Sequence, residues 1–358
     1  MGIDGVEQVG SEYEDNRVIL LSSREAVRKR PGMFLGTTSA RGLEQLIYEL
    51  VANGIDQYYR GEVTYVSVEL KGEGFEICDD GPGLPFDEGS VVPERSLAEY
   101  FLKTIHHSAT ADDHAPHVHL ALLGVGLAVV NFLSGRFEVN SWRAGKLWRQ
   151  IYEEGVALTA PEVIEEGDGR GTKIWCVPDP KIFSAQPRYE EVRSILFEAA
   201  HVFSGVKLML NEEVFIAPGG LKSLGPILRG SMRGTGSRST YPPCHLEGCV
   251  DGVQYELAVW WGDDSPRTMT THSWVNGVRT LHHGSHVDGV KAALKAIGTR
   301  PYLCLVHVLF HKPAFAGPTK DTLCVPFVRT LLEQELSPLV NYSRLKERAS
   351  SRVSDLLF

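Results

Sequence analysis

The sequence predicts an α+β protein of two domains, and three observations lead to this expectation. The chain has 358 residues, which is enough for two domains. Segments with the apolar period of helices are mixed with segments that alternate as strands do. Residues 219–243 are rich in Gly, Ser, Pro and Arg, which favours a domain boundary or an exposed connection. We therefore place one domain at residues 1–225 and a second at residues 226–358.

Composition and charge narrow the class of protein. The net charge is −9 at pH 7, so we expect only weak direct binding of DNA. No apolar run approaches the roughly 18 residues of a membrane-spanning helix, so no membrane association is expected. The six cysteines lack the paired spacing of a zinc site, which favours reduced thiols and a cytoplasmic location.

The chain opens with a polar arm and a basic segment. Residues 1–17 are polar and acidic, with Tyr13 as the large apolar anchor, and they predict a disordered arm. The string EAVRKRPGMFLG at Glu25–Gly36 contains a Pro-Gly turn. A helix does not run through such a turn easily, so a break is predicted there.

The strongest chemical signal is a helix with a polar edge. Apolar residues recur at helical spacing over 43–51, and Glu49, Asn53 and Asp56 follow at i, i+4 and i+7. These three side chains cluster within roughly 60° around the helix axis. Burying them costs free energy unless a ligand or a reaction uses them. A solvated helix face is the alternative interpretation of these residues alone.

A sharp turn follows this helix. The strand around Phe75–Ile77 ends in D-D-G-P-G at residues 79–83, where Gly81 and Gly83 permit positive φ and close approach of the backbone to a ligand. By itself the motif is also that of an ordinary hairpin turn. The E-x-x-x-N helix followed by a strand that ends in D-x-G-x-G is the more specific signal.

The remaining patterns alternate between strands and helices. The glycine turn at Gly124–Gly126 opens a helix, an arrangement that suits phosphate. The histidines between 106 and 119 are irregularly spaced, so a polar loop is preferred over a metal site. Strands are predicted at 63–70, 137–142, 146–155, 169–178, 253–261 and 302–310, a hairpin around Asn211, and helices at 97–107, 189–203, 290–297 and 327–348.

Taken together, these motifs resemble the nucleotide site of the GHKL ATPases. The A-V-R-K-R-P-G-M string narrows the resemblance to the ATPase subunits of bacterial type IIA topoisomerases, gyrase B and topoisomerase IV B. Residues 271–281 and 313–323 resemble segments of that family's transducer domain. The resemblance implies a GHKL (Bergerat) α/β sandwich followed by a β-α-β transducer of ribosomal S5-like fold.

The resemblance also implies ATP and Mg²⁺ as ligands and a role for each matching residue. Glu49 would be the general base and Asn53 the Mg²⁺ ligand, while Asp56 either orients this set or pairs along the helix. Lys320 would reach the γ-phosphate from the second domain. The residues expected around the rest of the nucleotide are Asp79 at the adenine amino group, Thr172 beside the adenine, Gly83 at the turn, Gly124, Val125 and Gly126 in the lid, and Tyr13 from the arm of a partner copy.

Several positions depart from the family pattern. Leu120 and Ala121 replace the two glycines usual at the start of the lid, and Leu123 replaces the lid histidine. Pro318 replaces the glutamine before T-K. Leucine donates no hydrogen bond to phosphate, so nucleotide affinity or turnover is expected to be reduced. An acid and an arginine that pair across the pocket rim in the family are here Gln57 and Pro82.

The functional expectation is an ATP-hydrolysing module that dimerises when ATP binds, as in the gate of a type IIA DNA topoisomerase. No E-G-D-S or D-x-D run occurs, so DNA cleavage is expected from a partner subunit. The alternative is a non-hydrolysing or weakly hydrolysing nucleotide-sensing module that dimerises and regulates a partner. Retained Glu49 and Lys320 favour the enzyme, whereas the altered lid favours the sensor.

Overall fold

The protein consists of two α+β halves, each with helices packed on its own sheet, in agreement with the predicted fold class. The computed structural model describes residues 21–105, 126–231, 243–261, 269–295, 301–317 and 319–354. Tyr13, the histidine-rich loop, Leu120 to Val125 and Pro318 lie outside these residues. Among the described residues, no helix combines the length and the apolar character that spanning a membrane requires.

The described residues form helices and strands in an order close to the predicted one. The helices are α1 Ser23–Lys29, α2 Gly32–Leu35, α3 Ala40–Tyr59, α4 Leu97–Lys103, α5 Gly126–Phe132, α6 Tyr189–Val202, α7 Gly220–Ser231, α8 Ser285–Lys295 and α9 Pro326–Ser354. The strands are β1 Tyr65–Lys71, β2 Gly74–Asp79, β3 Ser134–Arg143, β4 Lys146–Glu153, β5 Val156–Ala157, β6 Glu162–Glu166, β7 Thr172–Pro178, β8 Lys207–Leu210, β9 Glu213–Phe215, β10 Cys244–Val250, β11 Val253–Trp260, β12 Thr270–Val275, β13 Val278–Arg279 and β14 Leu303–Leu309.

The first sheet has nine strands in the order β5-β4-β3-β7-β2-β1-β8-β9, with β6 paired to β4. Neighbouring strands are antiparallel except for β1 and β8, which are parallel. Helices α3, α5 and α6 contact β1, β3 and β8. The predicted apolar stripe of α3 is buried, and Leu46 and Val51 are both 0% exposed. This packing fixes the direction in which the polar edge of α3 points.

The break at the Pro-Gly turn is confirmed. Helix α1 ends at Lys29, and α2 begins only at Gly32, after Pro31. Ser22 and Glu25 form a capping box at the start of α1, which satisfies backbone N–H groups that the helix leaves unpaired. Arg28 of this helix pairs with the buried Asp179 at 2.6 Å, so the basic segment is fastened to the first sheet.

The second sheet has five strands in the order β10-β11-β14-β12-β13, and every residue of β14 is buried. Leu303 and Leu305 belong to the apolar core of the first half. Cys304 and Val306 belong to a second core, which α8 and α9 complete. Since successive side chains of a strand point to opposite faces, the sheet lies between the first half and the α8–α9 layer.

One expectation about the connection between the halves is wrong. Residues 220–231, predicted to be part of an exposed connection, form helix α7, in which Leu221 and Leu224 are 0% exposed. The Gly and Pro content suggested a break, but leucines at helical spacing can bury one face of a helix, and Pro226 is accommodated inside it. The predicted boundary at residue 225 therefore falls inside a helix.

A buried histidine joins the two halves. The Nε2 atom of His307, on β14, accepts a hydrogen bond of 3.2 Å from the backbone N–H of Gly277. Its ring meets the edge of Phe203, at the end of α6, with centroids 5.4 Å apart. Burial lowers the pKa of His307 to about 3, and burial likewise lowers the pKa of His286 to about 3. Both rings are therefore neutral in the folded protein at neutral pH.

These histidines predict a loss of stability in mild acid. An unfolded histidine takes up a proton below about pH 6.5, whereas the folded ones do not until about pH 3. The unfolded state therefore binds more protons in this window, and the free energy of unfolding falls as the pH drops through 6.5.

Between pH 7.5 and 5.5 the fall should be roughly 1 kcal/mol for each buried histidine, measured by urea unfolding. His307→Gln, which keeps an acceptor for Gly277, should reduce the fall, while His282→Gln at an exposed position should not. An equal pH dependence in His307→Gln and the parent would contradict the assignment.

Candidate functional site

The centre of the candidate site is Glu49 on α3, which is 6% exposed. Its Oε1 atom accepts hydrogen bonds from Gln45 Nε2 at 2.6 Å and from Lys320 Nζ at 3.4 Å. Its Oε2 atom is buried and has no hydrogen-bond partner among the described residues. A Cβ added to Gly126, the first residue of α5, would lie 2.9 Å from Oε2. The fold therefore brings Glu49, Lys320 and Gly126 together from three separate segments.

The other polar residues of the α3 edge lie beyond Glu49 on the same helix. Asn53 and Asp56 are both half-buried, one and two turns further on. They line the same side of the helix because residues three or four apart are neighbours on a helix surface. The solvated helix face that was the alternative does not describe Glu49, although it applies in part to Asn53 and Asp56.

A second group of predicted residues surrounds Asp79 at the end of β2. Its Oδ1 atom accepts hydrogen bonds from the backbone N–H groups of Gly81 at 2.8 Å and Thr172 at 3.3 Å. Burial raises the pKa of Asp79, and these two hydrogen bonds oppose that shift. Thr172 is the register partner of Asp79 on β7, which explains why residues 93 positions apart meet. Oδ1 is thus held by the backbone.

The turn after Asp79 is fixed by close backbone crossings. Gly83 has a φ of +79°, and a Cβ there would lie 1.9 Å from the carbonyl oxygen of Trp142. Gly171 has a φ of +98°, and its Cβ would lie 2.0 Å from the carbonyl oxygen of Asp79. The close approach predicted at Gly83 is therefore an approach to strand β3. Both positions require glycine for conformation and for space.

Sequence reasoning missed several residues that organise the site. Ser141 Oγ accepts a hydrogen bond of 2.8 Å from the N–H of Leu84 and lies 3.1 Å from Thr172 Oγ1. It joins the turn to β7, and no sequence signal pointed to it. Gln45 stands four residues before Glu49, and this i, i+4 spacing was a signal that could have been used.

A cleft of about 140 Å³ lies beside Glu49, between the two halves. Arg41, Gln45, Glu198, Arg279 and Thr319 are among the residues that line it. It is distinct from the predicted nucleotide site, since Asn53, Asp79 and Thr172 do not line it. Gln45 separates the two, because it lines the cleft and also donates to Glu49.

The described residues contain no group of three or more His, Cys, Asp or Glu placed to hold a metal ion. All six cysteines are free thiols. Any metal in this site would therefore rely on a single protein ligand together with oxygen atoms from the bound substrate and water, which is the way Mg²⁺ is commonly held.

Comparison with known proteins identifies the relatives of this chain. No family model matches it. The DNA gyrase B protein of Clostridium acetobutylicum is 32% identical over 360 residues, which are 92% of this chain and 55% of that protein. The DNA topoisomerase 4 B protein of Rickettsia prowazekii is 28% identical over 363 residues, or 91% of this chain and 54% of that protein. The chain is a homologue of these topoisomerase subunits.

This gyrase B homologue spans about half the length of the curated relatives it matches. Solved structures show the same fold. Gyrase B from Myxococcus xanthus aligns with a TM-score of 0.72 and 24% identity over 89% of this chain and 95% of that one. The 43K ATPase domain of Thermus thermophilus gyrase B, solved with an aminocoumarin, aligns with a TM-score of 0.72 and 22% identity over 94% and 99%.

These alignments confirm the predicted GHKL fold followed by a transducer-like region. They also confirm the family resemblance drawn from the R-K-R-P-G-M and D-x-G-x-G motifs. The roles of individual residues remain predictions. Gly124, Val125 and Tyr13 lie outside the described residues, so the structure assigns them no place in the site.

The backbone crossing at Gly83 predicts a large effect of a single methyl group. Gly83→Ala should lower the free energy of unfolding by about 3 kcal/mol, because the residue has positive φ and its Cβ would overlap a carbonyl oxygen. Chemical denaturation measures this. Gly89→Ala is the matched control, since no atom lies within 4 Å of a Cβ at Gly89, and a change within about 0.5 kcal/mol is expected. Equal stability of the two variants would contradict the role of the crossing.

Proposed function

We propose that this chain binds ATP and hydrolyses it, and that ATP binding closes two copies into a dimer. The observation that carries the proposal is the environment of Glu49, a buried carboxylate with one oxygen unpartnered among the described residues and Lys320 of the second half 3.4 Å from the other. Homology to gyrase B and topoisomerase IV B, and the fold of their ATPase region, support it.

Glu49 is the proposed general base. An acceptor oxygen that is buried without a partner costs free energy, and a water molecule can supply the missing donor. A water held at Oε2 would give its proton to this carboxylate as it attacks the terminal phosphate. Gln45 holds the carboxylate in place through Oε1, which leaves Oε2 directed at the reacting water.

Lys320 is proposed to contact the γ-phosphate. Its side chain is 13% exposed and reaches from the second half to the first. Negative charge that builds up on the transferred phosphoryl group is stabilised by a nearby cation, more strongly where water is excluded. Lys320 therefore both supports the reaction and reports the presence of a third phosphate to the second half.

Asn53 is the proposed Mg²⁺ ligand, and its half-buried amide one turn from Glu49 fits this role. When bound, Mg²⁺ would neutralise charge on the phosphate oxygens. Asp56, further along the same side of the helix, would orient this set. Asp79 would accept the adenine amino group through Oδ2, since Oδ1 is already bonded to Gly81 and Thr172.

The remaining assignments rest on the relatives. Gly124, Val125 and Gly126 are proposed to close over the phosphates, and Tyr13 to reach the nucleotide of a partner copy. The relatives are named as subunits of DNA gyrase and topoisomerase 4, so we propose that a DNA-cleaving partner acts with this chain. The six free thiols fit a reducing cytoplasm. The homology to ATPase regions does not favour the non-hydrolysing sensor.

The general-base role predicts a separation of binding from turnover. Glu49→Gln should reduce ATP turnover by at least about a thousandfold while ATP still binds, because shape and hydrogen bonding are nearly kept but the base is lost. A steady-state ATPase assay and calorimetry measure the two effects. Glu44→Gln on the same helix is the control and should retain turnover. Near-normal turnover in Glu49→Gln would end the assignment.

The role of Lys320 predicts a separation of diphosphate from triphosphate. Lys320→Ala should bind ADP normally yet lose the dimerisation that a non-hydrolysable ATP analogue drives, because only the third phosphate can reach the second half. Sedimentation of the parent and the variant with each nucleotide measures this. Normal analogue-driven dimerisation of Lys320→Ala would contradict the role.

A further inference from the structure

A short segment of the second half touches the first half at successive residues. Thr319 packs on Gly36, where an added Cβ would lie 2.8 Å from its Cγ2 atom. Lys320 Nζ lies 3.4 Å from Glu49. Asp321 Oδ1 lies 2.7 Å from a guanidinium nitrogen of Arg41, in the first turn of α3. The segment is thus seated on the first half by steric fit and by charge on both sides of Lys320.

We propose that Arg41 and Asp321 form a positioning pair, which holds Lys320 against Glu49 before a nucleotide arrives. This inference rests on the proposed function, because it assumes that Lys320 and Glu49 carry out the reaction. It adds that the second half is already docked by an ion pair that does not touch the nucleotide. ATP would then redirect Lys320 from Glu49 to the phosphate without having to bring the segment from a distance.

The backbone of the segment shows that it needs external support. Lys320 has a φ of +57°, a conformation that costs a residue with a side chain free energy and persists where its surroundings impose it. Its N–H donates to the carbonyl of Gly317 at 3.1 Å, so part of the support is local. The remainder comes from the neighbours on the first half, and Arg41 is a charged one.

The charges of the pair are suited to a permanent contact. Burial alone would raise the pKa of Asp321, but hydrogen bonds from Thr319 and Arg41 lower it below its ordinary value. Asp321 therefore stays ionised at neutral pH and pairs with Arg41 throughout. The side chain of Arg41 is 48% exposed, so the ion pair contributes little to global stability. Its effect is expected on the placement of Lys320.

The test compares variants of the pair in the full chain. Arg41→Ala should lower kcat for ATP by about tenfold, since a small displacement of a catalytic group has large effects on rate, while ADP affinity stays unchanged. Arg41→Lys should restore most of the rate. Arg41→Asp combined with Asp321→Arg should be more active than either single reversal. Arg193→Ala is the matched control, because Arg193 is 41% exposed and pairs with Glu213 inside the first half at the same 2.7 Å.

A second measurement is independent of activity. Hydrogen exchange of the nucleotide-free protein should be faster at the amides of residues 319–324 in Arg41→Ala than in the parent, and unchanged in Arg193→Ala. A parent without ATPase activity would contradict the proposed function, and the exchange measurement would still decide on the ion pair. Unchanged exchange in Arg41→Ala, or normal kcat in an active parent background, would overturn the positioning role.

Discussion

A carboxylate placed in a protein core must find donors and positive charge, and Glu49 does so from both halves of the molecule. Removing such a group from water costs several kcal/mol unless it is compensated. Gln45 supplies one donor from the preceding turn of α3, and Lys320 supplies the cation from a segment 271 residues away. The seating of the second half on the first therefore follows from the electrostatic requirement of one side chain.

The nucleotide site and the inter-domain contact are consequently one system. Asp79, Thr172 and Ser141 form a hydrogen-bonded set within the first sheet and do not depend on the second half. Glu49 does depend on it, because Lys320 occupies Oε1. Recognition of the base thus belongs to a rigid sheet, whereas the reacting end of the site responds to the position of the other half.

The periodic parts of the fold were predictable from sequence. The apolar stripe of α3 and the buried strand β14 have strong local patterns, and the structure has both where they were expected. Helix α7 was missed because its Gly and Pro residues suggested a break, while its leucines bury against the core. The order of motifs was specific enough to identify the family, which residue spacing alone was not.

The site was predictable where it is local or matches a family motif. Glu49 and Asn53 share a helix face, and Asp79 precedes a glycine turn. The contacts of Ser141 with Leu84 and of Arg41 with Asp321 join residues distant in sequence, and no pattern in either segment reports the other. Such pairs are set by sheet register and by domain packing, which are tertiary properties.

The second sheet presents one face to the core of the first half, and this restricts how the halves can move. Trp274 and Leu305 share that core with Phe203, and a Cβ at Gly277 would lie 2.2 Å from the Tyr48 hydroxyl. Opening such an interface like a hinge would expose apolar surface to water and lose close packing. Packed elements instead move by shear, in small sliding displacements that keep side chains in contact. Any larger swing of the second half must be absorbed outside this interface.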